Sequence, residues 1–403
     1  MTMKRPELAR ARRAAGYTQE LLAEHVGVSP QTVRNWESGR AEPLAYKRPK
    51  LARVIGISLT RLETLLKNAP LEPGNWNCST VPSNIAIADS VPIGEIPLDT
   101  QYVESLHSRI QELVRMDMQF GGDLSSGVAL KLFQSVHRKL GQVKYDQAIE
   151  ADLYSAAGEL GELTGWLLFD AGKHDLVRRV NNEALNLLRM AGDRSTEILT
   201  LQNMSMHAGY LKRPAEALRL SQMVLEQNNL SPRLRALFLI RKARALALGG
   251  NNSEAKRTFD QAASLYLDGV RDNDPGWAWW INDEEIAWHE AMIYGDIGER
   301  YRSIDILQEC VDLTPVNAVR GRYVHTASLL EAQTHAQAWA EISNTFERLM
   351  PYVDEVGSTR AATMLLKTIP IIEKSATASG DVRSNAAELK RRLIDAGYFQ
   401  EDE

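Results

Sequence analysis

The sequence predicts an all-α protein with a small head of five short helices, a linker, and a long solenoid of paired helices. Three observations carry that reading. Apolar residues recur at helical spacing through most of the chain, with few alternating β-branched stretches. Five prolines, Pro70, Pro73, Pro82, Pro92 and Pro97, crowd one stretch among Asn, Ser and Gly where no helical period is sustained. Beyond it, a unit of small residue, Gly-like turn and second small residue repeats along the chain. The expected domains are therefore a head over residues 1–67, a hinge-like linker over 68–100, and a repeat domain over 101–403.

In the head, Arg5 to Ala15 places Leu8, Ala11 and Ala15 at helical spacing and stops at Gly16. Thr18 is placed to cap a second helix that turns Leu21, Leu22 and Val26 inward and ends at Gly27. Ser29 caps the third, with Pro30 at its first position, where a missing N–H does no harm. Val33 and Trp36 are that helix's buried side, and Gly39 ends it. Leu51, Val54 and Ile55, then Leu59, Leu62, Leu65 and Leu66, supply two closing helices.

Charge divides unevenly along the chain. Residues 1–67 hold thirteen Lys and Arg against six acids, a net +7, while the whole chain of 403 residues carries −5 and the other 336 residues carry −12. A basic head on an acidic body points the head alone toward a polyanion. Helix, short turn with Gly, helix is the arrangement that sets a second helix into a DNA major groove. With Val33 and Trp36 inward, Gln31, Thr32, Arg34 and Asn35 face outward just after Ser29. Arg suits guanine, and Gln or Asn suits adenine. Gln19, Arg40, Lys47 and Arg48 are placed to hold phosphates.

Residues 6–66, centred on "GYTQELLAEHVGVSPQTVRNWESGRAEP", resemble the Xre, or lambda-repressor-like, helix-turn-helix domain. The resemblance rests on Thr-Gln after the first helix, Leu-Ala in the second, Gly-Val-Ser at the turn, Trp-Glu-Ser-Gly-Arg after the third and Ile-Ser-Leu before the fifth. It implies that Gln19 contacts the DNA backbone, that Gln31, Arg34 and Asn35 approach bases, and that Arg40 approaches a phosphate. Pro30 departs from the pattern, because it lacks the polar side chain many relatives use there. The alternative is a helix-turn-helix used only for protein contacts.

In the body the repeat markers are Gly165, Gly172 and Ala184; then Ala243, Gly250, Ala255, Phe259 and Ala262; then Ala291, Tyr294, Gly298, Ser303 and Pro315. Weaker copies carry Ala217 and Ala338. Equivalent positions at 177, 217, 255, 303 and 338 are spaced by 40, 38, 48 and 35 residues. These intervals resemble a degenerate tetratricopeptide-like α-solenoid, with an irregular helical bundle as the alternative. On the repeat, the inner positions are Gln202, Asn203 and Met206; Arg241 and Arg244; Glu285, Trp288 and His289; and Arg320 and Tyr323. As a set they suit a peptide or small molecule with a carboxylate and an apolar part. Taken singly, each suits packing or a salt bridge as well.

Catalytic and metal readings fail. His289-Glu290 lacks the second His of H-E-x-x-H, neither a phosphate-loop nor a nucleophile-elbow motif occurs, and Gly121-Gly122 and Gly249-Gly250 read as turn glycines. Trp277, Trp279, Trp280 and Trp288 read as core that can also wall a ligand site. Cys78 and Cys310 stand apart from any Cys/His cluster, and read as a linker thiol and a buried thiol. No enzyme, cofactor or metal is expected. No apolar run reaches the roughly 18 residues of a membrane span, and Met1 to Pro6 has no apolar signal core. A cytoplasmic protein without a membrane partner is the expectation.

The joined architecture resembles the peptide-receptor quorum-sensing regulators of Gram-positive bacteria. More closely, through "LQNMSMHAGYLKRPAEALRL" and "LDGVRDNDPGWAWWINDEEIAWHEAM", it resembles a set of actinobacterial Xre regulators, over most of residues 1–400. The resemblance implies a transcription factor acting on double-stranded operator DNA; because one head has a small footprint and two could span paired half-sites, a homodimer formed mainly by residues beyond 100 is expected. Two readings of the body stay open: a sensor of a peptide or small-molecule effector, or a dimerisation and docking scaffold under a protein partner's control.

Overall fold

A computed structural model describes residues 5–15, 17–38, 41–43, 47–55, 62, 65–66, 97–227, 229–271, 274–316 and 318–399. Gly16, Gly39, Arg40, Cys78, the linker up to residue 96 and most of the expected fifth head helix fall outside them. Among the described residues every regular element is a helix. The chain divides into two compact units, Met1–Asp89 with Asn273–Trp280, and Ser90–Asp272 with Ile281–Glu403.

The first unit holds α1 (Pro6–Ala14), α2 (Gln19–Val26), α3 (Pro30–Ser38) and α4 (Arg48–Val54). Leu62, Leu65 and Leu66 are helical and buried, as the closing segment requires. Thr18 Oγ1 accepts the Leu21 N–H at 3.1 Å, and Gly27 ends α2 at φ +73°, where a side chain would be strained. Leu8, Leu22, Ala23, Val26, Val33, Trp36, Leu51 and Ile55 form the core.

The second unit is a succession of hairpins: α5 (Thr100–Phe120) with α6 (Gly122–Gln142), α7 (Glu150–Asp170) with α8 (His174–Ala191), and α9 (Arg194–Tyr210) with α10 (Pro214–Leu225). These are followed by α11 (Pro232–Leu248) with α12 (Asn252–Leu267), α13 (Asp283–Ile297) with α14 (Arg300–Leu313), α15 (Val319–Ala336) with α16 (Trp339–Val353), and α17 (Thr359–Lys374) with α18 (Gly380–Asp395). First helices such as α7, α9, α11 and α15 are buried on nearly every side, whereas α8 and α16 bury one stripe. Several first helices start on a side-chain cap, Asp193 for α9, Ser231 for α11, Asn282 for α13 and Ser358 for α17. Second helices α8, α10, α12, α14 and α16 lack one and follow a tight left-handed turn.

That turn is the repeat's signature. Gly172, Lys212, Gly250, Gly298 and Gln337 each sit two residues before a second helix with φ between +54° and +96°. Counting from it, Val177, Ala217, Ala255 and Ser303 occupy one position, all buried. In the last copy that position is Ile342 rather than Ala338, so the sequence register there was four residues early.

First helices pack side by side, α7 on α9, α9 on α11, α11 on α13 and α15 on α17. The succession does not stay open: α15 also packs on α5, and α17 on α7. Gly357 donates to the Phe120 carbonyl at 2.8 Å and accepts from the Asp123 N–H at 3.1 Å. Gly121, at φ +81°, lies so close to the Gly357 carbonyl that a Cβ would collide with it, so Gly121-Gly122 permits a close approach between opposite ends of the body as well as a turn.

Candidate nucleic-acid interface and inner face of the repeats

On α3, Ser29 Oγ accepts the Thr32 N–H at 3.1 Å and meets Thr32 Oγ1 at 2.9 Å, fixing the helix start. Val33 and Trp36 anchor the opposite side in the core. Gln31 and Arg34 are exposed and Asn35 half-buried. The three side chains form a chain of hydrogen bonds, from Arg34 Nε to Gln31 Oε1 at 3.1 Å and from Gln31 Nε2 to Asn35 Oδ1 at 3.2 Å. Arg34 also lies 3.6 Å from Glu20. An Arg, a Gln and an Asn displayed together on one short capped helix offer the donors and acceptors that base edges take.

The other expected DNA contacts have partners within the head. Gln19 donates to Glu37, which also receives Arg12 at 2.6 Å. Lys47 donates to the Gly27 carbonyl at 2.7 Å, and Arg48 to Glu42 and the Pro43 carbonyl. Arg5 and Arg12, counted in the head's positive charge, are each only 8% exposed and serve the fold: Arg5 binds Glu42 and the Trp36 and Ala41 carbonyls. Sequence reasoning missed Glu37 as the staple that joins α1, α2 and α3. Arg40 lies outside the described residues.

The family described as helix-turn-helix matches residues 8–62. The head is a helix-turn-helix domain. Its second helix is α2, its third α3, and Gly27 lies at the turn between them. For the whole chain, no curated protein matches. Among solved structures, a Rap protein complexed with competence and sporulation factor aligns over 73% of this chain and 97% of its own, at 10% identity and a TM-score of 0.44. At that distance the likeness assigns this chain neither a ligand nor a mechanism.

In the body, the structure brings five expected ligand residues into one buried network. Arg241 donates to Gln202 Oε1 at 2.8 and 3.1 Å, lies against His289, and stands 3.6 Å from Glu285. His289 meets Glu285 at 2.8 Å, and Gln202 donates to Asn203, which donates to Glu162. Burial pushes His289 down to about 3, so it stays neutral beside Arg241. Burial alone would raise Glu285, but His289 and Arg241 bring it to about 2. Glu162, which the sequence did not single out, goes the other way: burial and then Glu159 push its carboxyl up to about 8.

Arg244 lies 5.8 Å over the Trp288 ring and 3.5 Å from Asp296. Trp288 is buried, with its indole N–H toward Ser328. Met206, Ser205, Arg241, Arg244 and Ala245 bound a space of about 10 Å³, which is room for one water.

Arg320 and Tyr323 belong to a different cluster, centred on Asp170 at the end of α7. Asp170 is 0% exposed and accepts from the Gly122 N–H at 3.0 Å, Arg320 at 2.9 Å, Arg360 at 3.1 Å and Ser358 at 3.0 Å. Burial alone would raise its pKa; Arg320 and Arg360 hold it below the usual carboxylate range. Arg320 also lies 3.4 Å from Asp117 and stacks 4.9 Å over Trp166, while Arg360 stacks 5.0 Å over Phe169. The Tyr323 hydroxyl is buried beside this cluster with no hydrogen-bond partner among the described residues. Asp170 was legible only as a charge ending the apolar run "GWLLFD".

Among the described residues, no group of three His, Cys, Asp or Glu is placed to hold a metal ion, and no helix is long and apolar enough to cross a membrane.

Proposed function

We propose that this chain is a sequence-specific DNA-binding transcriptional regulator, working as a homodimer, whose repeat body controls the head in response to a peptide or small-molecule signal. The observation that carries the DNA-binding part is the Arg34–Gln31–Asn35 chain, exposed on a capped helix whose other side is anchored by Val33 and Trp36. Gln31, Arg34 and Asn35 approach bases, with Thr32 and Ser29 at the helix start. Gln19, Arg40, Lys47 and Arg48 meet the backbone, which for the first and last two requires exchanging present partners for phosphate. Arg34→Ala is expected to weaken operator binding by about 1–3 kcal/mol and to relax base preference at one position, the signature of a lost bidentate base contact. Binding titrations on the operator and on single-base variants test this. Wild-type affinity in the variant overturns the placement of the reading helix.

For the body, the set Asn203, Arg241, Arg244 and Trp288 supports recognition of a ligand with a carboxylate and an apolar portion. One observation favours the second reading, a scaffold controlled by a protein partner. Arg241 and its neighbours satisfy each other, and only about 10 Å³ is left beside them. A sensor therefore requires a body that opens.

A further inference from the structure

We propose that Asp170, Arg320 and Arg360 form a clasp whose release parts α5–α7 from α15–α18 and opens the inner face formed by the first helices to a ligand. As a route for regulation it rests on the reading of the body as a sensor; as a property of the fold it stands alone.

In a helical repeat each unit touches only its neighbours. Here the first units touch the last, across sequence separations of 150 residues for Arg320, 188 for Ser358 and 190 for Arg360. The chemistry of this junction differs from that within each half. One apolar core runs from Leu98 to Met206 and another from Trp288 to Leu393, with no residue in common. Across the junction, ion pairs, hydrogen bonds and cation–π contacts accompany close packing of Val356 and Gly357 on Gly121. Besides the three clasp residues, Asp123 accepts from the Thr359 N–H at 3.1 Å, the Thr359 hydroxyl at 2.9 Å and the Tyr398 hydroxyl at 2.7 Å.

A junction of this kind can separate without dismantling either apolar core. Water and ions replace polar partners far better than they replace packed Leu and Phe. Glu285 of the inner network acts electrostatically on Arg320 of the clasp, favouring its charged form. Met206, Arg241 and Arg244 border a gap of about 10 Å³ between α9, α10 and α11, and the parting of the junction is the step that would widen access to them.

Hydrogen–deuterium exchange on the full-length protein tests the clasp without any ligand. In wild type, the amides of Asp123 and Gly357, which donate across the junction, should exchange through a local opening, faster than amides in the middle of α9 and α11. Asp170→Asn should speed the junction amides roughly tenfold or more while leaving α9 and α11 unchanged. Asp123→Asn, a milder variant, should act in the same direction. Met206→Cys reports access: its thiol, at a position 7% exposed, should react with iodoacetamide faster when Asp170→Asn is added. Equal protection of junction and helix centres in wild type, or uniform acceleration through both halves in the variants, overturns the clasp. A faster junction without faster Met206→Cys labelling overturns its role as the entry. Operator affinity is read separately. If it is unchanged while the junction opens, the regulatory reading fails and the clasp stands.

Discussion

Gln337 carries a φ of +56° that L side chains rarely adopt, at the position where three other units place glycine. Its side chain is exposed, so nothing visible in its surroundings requires the bulk. Left-handed geometry costs a non-glycine residue roughly 1–2 kcal/mol, partly offset by glycine's greater freedom in the unfolded chain. Gln337→Gly is therefore expected to stabilise the protein by about 0.5–1 kcal/mol, read as a higher denaturant midpoint with unchanged slope. The same residue hides the register: with no glycine to mark the turn, the sequence points to Ala338 where the structure has Ile342, and Lys212 weakens the second unit's pattern in the same way.

At the scale of the element, α3 depends on its first turn. Removing the Ser29 hydroxyl leaves the Thr32 N–H without its cap, a loss of about 1 kcal/mol in comparable helices. Ser29→Ala should lower the head's unfolding midpoint and weaken binding to operator and to unrelated duplex together, since fraying displaces Gln31, Thr32 and Arg34 as a group. Thermal melts with parallel binding titrations check both. The head's elements were largely legible, because Thr18, Gly27, Ser29, Val33 and Trp36 act through neighbours a few residues away. Contacts in the body were legible only as far as periodicity reaches. It put Arg241, Trp288 and His289 on adjoining first helices, and they do meet. It had no means of pairing Asp170 with Arg320 and Arg360, since an ion pair across 150 residues leaves no local pattern.

For the whole molecule, the buried titratable groups set opposing slopes of stability against pH. Glu162 has its carboxyl pushed up from 4.5 to about 8, chiefly by burial, so its contribution is complete below about 4.5 and lost as pH rises through about 8. His289, lowered to about 3, and His207 and His325, lowered to about 4, all chiefly by burial, contribute fully above 6.5 and lose it as pH falls. Stability should therefore peak near pH 6.5 and decline on both sides. Glu162→Gln should reduce the decline toward pH 8 and leave the acid side intact, as measured by denaturant midpoints across that range. The joined ends of the body have a further consequence, for how such a chain can vary. An open stack of hairpins accepts an extra unit, or survives the loss of one, because only its length changes. A stack whose first and last members hold each other through Asp170 and Gly357 admits one count, as a hoop admits one number of staves. Insertions and deletions should therefore collect in connections such as residues 268–282 and spare whole hairpins.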